Sequence, residues 1–356
     1  MEPSPEITNR FCGQRGAVTI WFALFLPVLL GFVALAVDMA RINLAKTELQ
    51  NAADAAALGG ARVLTPAGSA LSDKPYNWSA AMAMALTVAQ RNYANGAQIH
   101  NATIETGYWD ITARTFKTTV GTNCVPAVRA TVALSSTLNN GPLTLFFAPI
   151  FSFFDHADHT HQDKSASAIA MIASPTGGTG VFPYVIDKRM LDNYWDSSTQ
   201  KPVLKNGAPV SIKLGSVYQF GTGKNAVSVL SGQWSPFSVQ KNPSTPVLEE
   251  IVRSGNTTKL SIGQSTYVDP GNHAAEYGYV DSYSAGKDVA LFVVNEVKTD
   301  ALNPIVGIVA FHIDSASQGG KYITGHFVDA TIIPGLTAGG GSGVFYGAYT
   351  PPMLVQ

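Results

Sequence analysis

Nine consecutive residues, Asp155-His156-Ala157-Asp158-His159-Thr160-His161-Gln162-Asp163, hold three histidines and three aspartates. Imidazole nitrogens and carboxylate oxygens are ligands for Zn²⁺ and other divalent ions. His156, His159, His161 and Asp158 are therefore candidate metal ligands, and a metal-dependent hydrolase is one class of function they could serve. Their spacing matches no standard zinc pattern, and no H-E-x-x-H occurs. A solvated loop leading into a strand explains the same residues with fewer assumptions. His312-Ile313-Asp314 and His326-Phe327-Val328-Asp329 fall on predicted strands, where pairing could bring histidine and aspartate together or leave them as polar positions of a half-exposed sheet. Gly221-Thr222-Gly223-Lys224-Asn225 lacks the upstream glycine and the following Ser/Thr of a phosphate loop, so it reads as a turn. Gly340-Gly341-Ser342-Gly343-Val344 lacks the last glycine of a nucleophile elbow. Trp78, Trp109, Trp195 and Trp234 are scattered, as packing residues are. No catalytic residue and no cofactor is assigned from these patterns.

The elements that must carry these residues begin with a helix. Residues 17–37, AVTIWFALFLPVLLGFVALAV, carry no charge. At about 1.5 Å per residue they reach about 31 Å, the hydrocarbon thickness of a bilayer. Pro27 and Gly31 fall mid-span, where membrane helices tolerate them. The run is longer than a signal-peptide core, and Ala34-Leu35-Ala36 is followed by helix rather than a break, so an uncleaved anchor is expected. Arg10 and Arg15 precede the span; Asp38, Arg41 and Lys46 follow it. This modest asymmetry favours a short cytoplasmic tail, 1–16, and an external body. Cys12 and Cys124 then lie on opposite sides and cannot pair.

Beyond the span, Ile42, Ala45, Leu49, Ala52 and Ala56 repeat at 3-4-3-4 spacing. This is the period of a helix with one narrow apolar edge. The edge can pack on the chain's own domain or against other subunits, so helix-mediated self-association is an expectation. Pro66 ends the helix, and 66–78 reads as a connector. A second helix over 80–93 precedes strands at 99–109, 112–120, 128–134 and 164–173. Residues 141–154, GPLTLFFAPIFSFF, are too short to span; they read as a buried element, with an interfacial segment or a protein-contact surface as alternatives. Ser174 to Gly180 marks a boundary, and further strands follow at 181–186, 210–218, 226–230, 288–297, 304–313 and 322–333. The expected fold is α+β: a membrane-plus-amphipathic helix (17–37 and 38–64), a small α+β domain (65–176), and a β-rich, sandwich- or barrel-like domain (181–356).

The net charge of −1 offers nothing to nucleic acid, and charged residues make up only 13%, a composition common in envelope proteins. Arg15-Gly16-Ala17-Val18-Thr19-Ile20, Val37-Asp38-Met39-Ala40-Arg41 and Glu48-Leu49-Gln50-Asn51-Ala52-Ala53-Asp54-Ala55-Ala56-Ala57-Leu58 resemble the N-terminal segment of TadG-like proteins of the bacterial Tad (tight adherence, Flp pilus) assembly system. The resemblance covers about 50 residues. It implies a single-pass inner-membrane protein, its body in the periplasm, with a non-enzymatic role in assembling or anchoring an adhesive pilus. The implied partners are other pilus-assembly proteins or pilin-like subunits, besides membrane lipid. A prepilin-peptidase site after Gly16 would place Glu where Trp21 stands, which favours an anchor over a processed pilin-like subunit. Some relatives carry an Asp-x-Ser-x-Ser metal site; Asp314-Ser315-Ala316-Ser317 and Asp196-Ser197-Ser198 both miss it. A secreted adhesin with a binding β domain is the remaining alternative.

Overall fold

The structure, a computed structural model, describes residues 17–65, 76–121, 123–151, 156–237, 243–271, 273–338 and 345–356. The expectations placed on Cys12, on Gly16 and the charges before it, on Asp155, on most of the 66–78 connector and on 340–344 lie outside the described residues.

Helix α1 (Ala17–Ala61) is 45 residues long and runs without interruption through Pro27 and past the end of the apolar segment. At 1.5 Å per residue it measures about 67 Å. Among the described residues it is the one helix long and apolar enough to cross a membrane, and none of its apolar window is buried against protein. Its second half is the spine of the first domain. Helix α2 (Trp78–Ala89) lies along it, capped by Asn77, whose side chain accepts from the Ala80 N–H. Strands β1 (Thr103–Asp110), β2 (Thr115–Lys117), β3 (Cys124–Leu134) and β4 (Lys164–Met171) form an antiparallel sheet, and both helices pack on one face of it, α1 over β3 and β4 and α2 over β1 and β3.

This position, with α2 alongside and the sheet beneath, explains the alanine run. Ala45, Leu49, Ala52 and Ala56 are buried, as the spacing predicts, and Ile42 packs at their edge. Ala53, Ala57 and Ala61 are also fully buried, and so are Ala81, Ala85 and Ala89 of α2. The helix therefore hides more than a narrow edge, and small side chains on both helices let the backbones approach. At Gly60 an added Cβ would sit 2.9 Å from the Ala81 carbonyl oxygen and 3.0 Å from the Ala85 Cβ.

The second part is built on a seven-stranded mixed sheet. Its strands are β5 (Tyr184–Asp187), β6 (Ile212–Leu214), β7 (Gly232–Trp234), β8 (Ser265–Val268), β9 (Lys287–Val294), β10 (Ala301–Ser317) and β11 (Tyr322–Phe327). Their order is β6-β11-β10-β9-β5-β7, with β8 paired to β10 and one parallel pair, β5 with β9. Residues Ala290 to Val294 are buried without alternation, as in a strand covered on both faces. Leu291 and Val293 meet residues of three helices: α3 (Lys188–Tyr194), α4 (Thr245–Ser254) and α5 (Ala274–Ser284). Ala290, Phe292 and Val294 meet Phe237, Val268 and Leu336 on the opposite face. The whole is α+β, with helices in the second part that the turn-rich sequence does not announce.

The chain end returns to the first domain. Strand β12 (Met353–Leu354) pairs with β4, and Tyr349 sits in the same core as Leu49, its hydroxyl donating to Tyr76. The two parts are thus joined both by the chain leaving β4 and by its last strand.

Candidate functional site at the membrane exit

Asp38 is the first residue after the apolar span, and its side chain is buried. Residues 141–151 explain why. Leu143 enters the first core, and the chain then turns toward α1. There the Asp38 carboxylate accepts three backbone N–H bonds, from Phe146 (2.9 Å), Phe147 (2.9 Å) and Ala148 (2.7 Å), at the head of a single 3-10 turn, Ala148–Phe151. Burial pushes the Asp38 pKa up, but the three donors and the nearby Arg41 charge outweigh it and hold the carboxyl below its ordinary value. One turn further on, the Arg41 guanidinium lies 4.0 Å from the centre of the Phe146 ring and donates to Asn95 Oδ1 (3.1 Å). The Asn95 backbone N–H donates in turn to Glu48 (2.7 Å). Two loops are thereby tied to the helix where it leaves its apolar segment.

The expected burial of 141–154 is corrected in part. Leu143 is buried, but Phe146, Phe147 and Ile150 are 61%, 45% and 64% exposed. Three peptide donors must stay on one carboxylate, and this holds the loop at the helix surface rather than in the core. An acidic residue directly after an apolar span was the sequence signal for this site.

The candidate metal ligands are differently placed. His156, Asp158 and His161 are exposed and His159 is half-buried. Asp158 accepts from the Thr160 backbone N–H (2.8 Å) and from its hydroxyl, while Thr160 Oγ1 lies 2.7 Å from His161 Nδ1. Among the described residues no group of three His, Cys, Asp or Glu side chains is arranged to hold a metal ion.

Strand pairing does bring the other His/Asp residues together. His312 on β10 is directly opposite His326 on β11 and Asp288 on β9. His312 Nδ1 is 2.7 Å from Asp288 and His326 Nδ1 is 3.3 Å from Asp314, with the two rings 5.0 Å apart. The four form a half-exposed ladder along the sheet rather than converging on a point. A cavity of about 470 Å³ lined by Lys201, Leu204, His326 and Asp329 opens beside it.

A third cluster had no motif to mark it. His273, at the start of α5, has Nε2 3.2 Å from buried Asp269 and Nδ1 3.8 Å from buried Glu276, beneath Trp234. A histidine between two carboxylates has the makings of a base. Among the described residues, however, no serine, threonine or cysteine is hydrogen-bonded to it. Of the singled-out loops, residues 223–225 form a tight turn in the hairpin Val217–Phe220/Val227–Leu230, as expected. Trp109, Trp195 and Trp234 are buried, and Trp78 packs on Tyr76 and Tyr108.

A helix long and apolar enough to cross a membrane, uncovered by protein, continues as the spine of an α+β body. Comparison with known families gives this arrangement a place. Residues 16–63 match the Tad family model, TadE/G-like proteins of Flp pilus assembly, and residues 59–170 match the Tad_C model, Tad-like proteins of Flp pilus assembly. This stretch, which takes in α1, α2 and the four strands β1 to β4, is similar to TadE/G-like and Tad-like proteins of Flp pilus assembly, and the matches stop at residue 170. Neither the curated proteins nor the solved structures give a match.

Proposed function

We propose that this chain is a structural, non-enzymatic component of a Tad/Flp pilus-assembly machine. It is held in the inner membrane by residues 17–37, with 1–16 cytoplasmic and the body periplasmic. One observation carries the reading: α1 passes without interruption from an apolar segment with no protein cover to the centre of the first core. A load applied to the body reaches the membrane through one helix, with no hinge between them. The family matches supply the pilus context, and the partners are other assembly proteins or pilin-like subunits.

The seam Ile42, Ala45, Leu49, Ala52 and Ala56 is occupied by the chain's own sheet and α2. Self-association through α1 therefore falls to its uncovered membrane half. The two cysteines test the topology. In intact spheroplasts, a membrane-impermeant maleimide labels Cys124 and reaches Cys12 only after permeabilisation. Labelling of Cys12 first, or recovery of the protein in the soluble fraction, overturns the reading. Intact pilus assembly after deletion of the gene removes the pilus role and leaves the anchor standing.

A further inference from the structure

We infer that the loop held by Asp38 is a second membrane contact: Phe146, Phe147 and Ile150 insert into the headgroup region of the leaflet from which α1 emerges. The inference rests on the reading of 17–37 as a membrane span, and depth follows from it. The span covers about 31 Å, the full hydrocarbon core, and each polar interface adds about 5–7 Å. Asp38 is the first residue past the apolar run, and the Phe146, Phe147 and Ala148 amides lie within 2.9 Å of its carboxylate. The loop cannot leave that depth without breaking all three bonds.

Its chemistry suits the place. Three large apolar side chains are 45–64% exposed, a costly arrangement in water. Three of the loop's N–H groups are already bonded to the carboxylate, and the Ile150 N–H to the Phe147 carbonyl. Aromatic rings are favoured at the membrane interface, and long cationic side chains reach headgroups from helix ends. Arg41, stacked on Phe146 about 4.5 Å further along the helix, sits at headgroup level. Together with α1, the loop gives the body a second point of contact with the leaflet.

Depth measurement tests this in the full chain. Single cysteines at Ile150, Leu29 and Leu204, in a Cys12→Ser/Cys124→Ser background, carry a nitroxide in phosphatidylethanolamine/phosphatidylglycerol nanodiscs. Collision with oxygen, which partitions into lipid, is compared with collision with a water-soluble nickel chelate. The expected result is oxygen-dominated relaxation at 29 and 150 and nickel-dominated relaxation at 204. Adding Asp38→Ala shifts position 150 toward the nickel-dominated profile and leaves 29 unchanged. A water-like profile at 150 with a lipid-like profile at 29 overturns the inference alone. A water-like profile at 29 overturns the anchor itself. Protection of 150 from both agents means a protein covers the loop, and that also overturns the lipid contact.

Discussion

Gly60→Ala and Gly278→Ala should move stability in opposite directions. Both glycines are helical, so in each case alanine gains up to about 1 kcal/mol of helix propensity and unfolded-state entropy. At Gly278, on α5, an added Cβ meets only the Gln318 side chain at 3.4 Å, an ordinary contact, so the gain survives. At Gly60 it meets the Ala81 carbonyl oxygen at 2.9 Å, the Ala85 Cβ at 3.0 Å and a Val128 methyl at 3.1 Å. Two of these belong to α2 and one to β3, so no rotamer change relieves the clash and a helix must shift. Overpacking of this kind costs about 1–3 kcal/mol. The expected net effect is about 1 kcal/mol lost at Gly60 and somewhat under 1 kcal/mol gained at Gly278. For a body of this size these are shifts of about 2–4 °C in Tm. Thermal unfolding of the detergent-solubilised protein, followed by near-UV circular dichroism, reads both. If Gly60→Ala raises Tm as Gly278→Ala does, the close approach of α1, α2 and the sheet is refuted.

Asp38→Ala removes a charged acceptor from three amides; at about 1.5–3 kcal/mol per charged hydrogen bond, less rehydration of the opened loop, amide exchange at Phe146, Phe147 and Ala148 should rise about 100-fold. Because the folded pKa is below the ordinary 3.8, protection in the wild type is fully present above about pH 4 and is lost as pH falls through the folded value; loss already at pH 6 contradicts the assignment. Tyr267 donates to Asp300 at 2.6 Å, and this bond, with burial and the neighbouring carboxylates, pushes its pKa up to about 12. Its stabilising contribution is complete below pH 10 and disappears as pH rises toward 12; ultraviolet titration of wild type against Tyr267→Phe should show one phenol missing from that high range. Leu49→Ala empties a fully buried site in the first core and should cost about 2–5 kcal/mol in denaturant unfolding; a change under 1 kcal/mol would place Leu49 outside the core.

The first domain was largely legible because its signals are local. An uncharged run, a 3-4-3-4 apolar period and alternating strands each report their own element, and α1, α2 and β1 to β4 fall close to the expected positions. The second face of α1 was less legible: Ala53, Ala57 and Ala61 are neutral in any periodicity scheme, and only the position of α2 makes them core. The Asp38 site pairs residues 108 to 110 positions apart, and no short-range pattern encodes that. In the second part, α5 has few strongly apolar residues, because it covers one face of a sheet that supplies the rest of the core, whereas α4 carries an amphipathic Val247, Leu248, Ile251 and Val252 face. His312 and His326 could be paired from strand alternation alone. His273 with Asp269 and Glu276 could not, since a helix start sets that geometry.

The two matched segments overlap at residues 59–63, where α1 closes against α2 through Gly59 and Gly60. Residues 16–63 alone would leave Ala53, Ala57 and Ala61 uncovered, so the anchor helix and the following α/β segment form one folding unit. The unmatched part is stitched to that unit by its last strand, and removing residues 348–356 tests how firmly. The deletion takes away the buried Tyr349 ring and its bond to Tyr76. It also removes the Thr350 contacts to Ala173 and the bonds of Val355 and Gln356 to Ile169. A buried aromatic contributes about 2 kcal/mol, and each of the five hydrogen bonds about 0.5–1.5 kcal/mol net of water exchange, so the loss is about 5–9 kcal/mol. That is a large fraction of a typical folding free energy of 5–15 kcal/mol. Because β4 also contacts α1, exchange at Ala168 and Ala170 in β4 should rise along with exchange at Leu49 on the helix. If β4 frays while Leu49 keeps its protection, the C-terminal strand is an edge decoration; if both open together, it is part of what holds the body to its anchor.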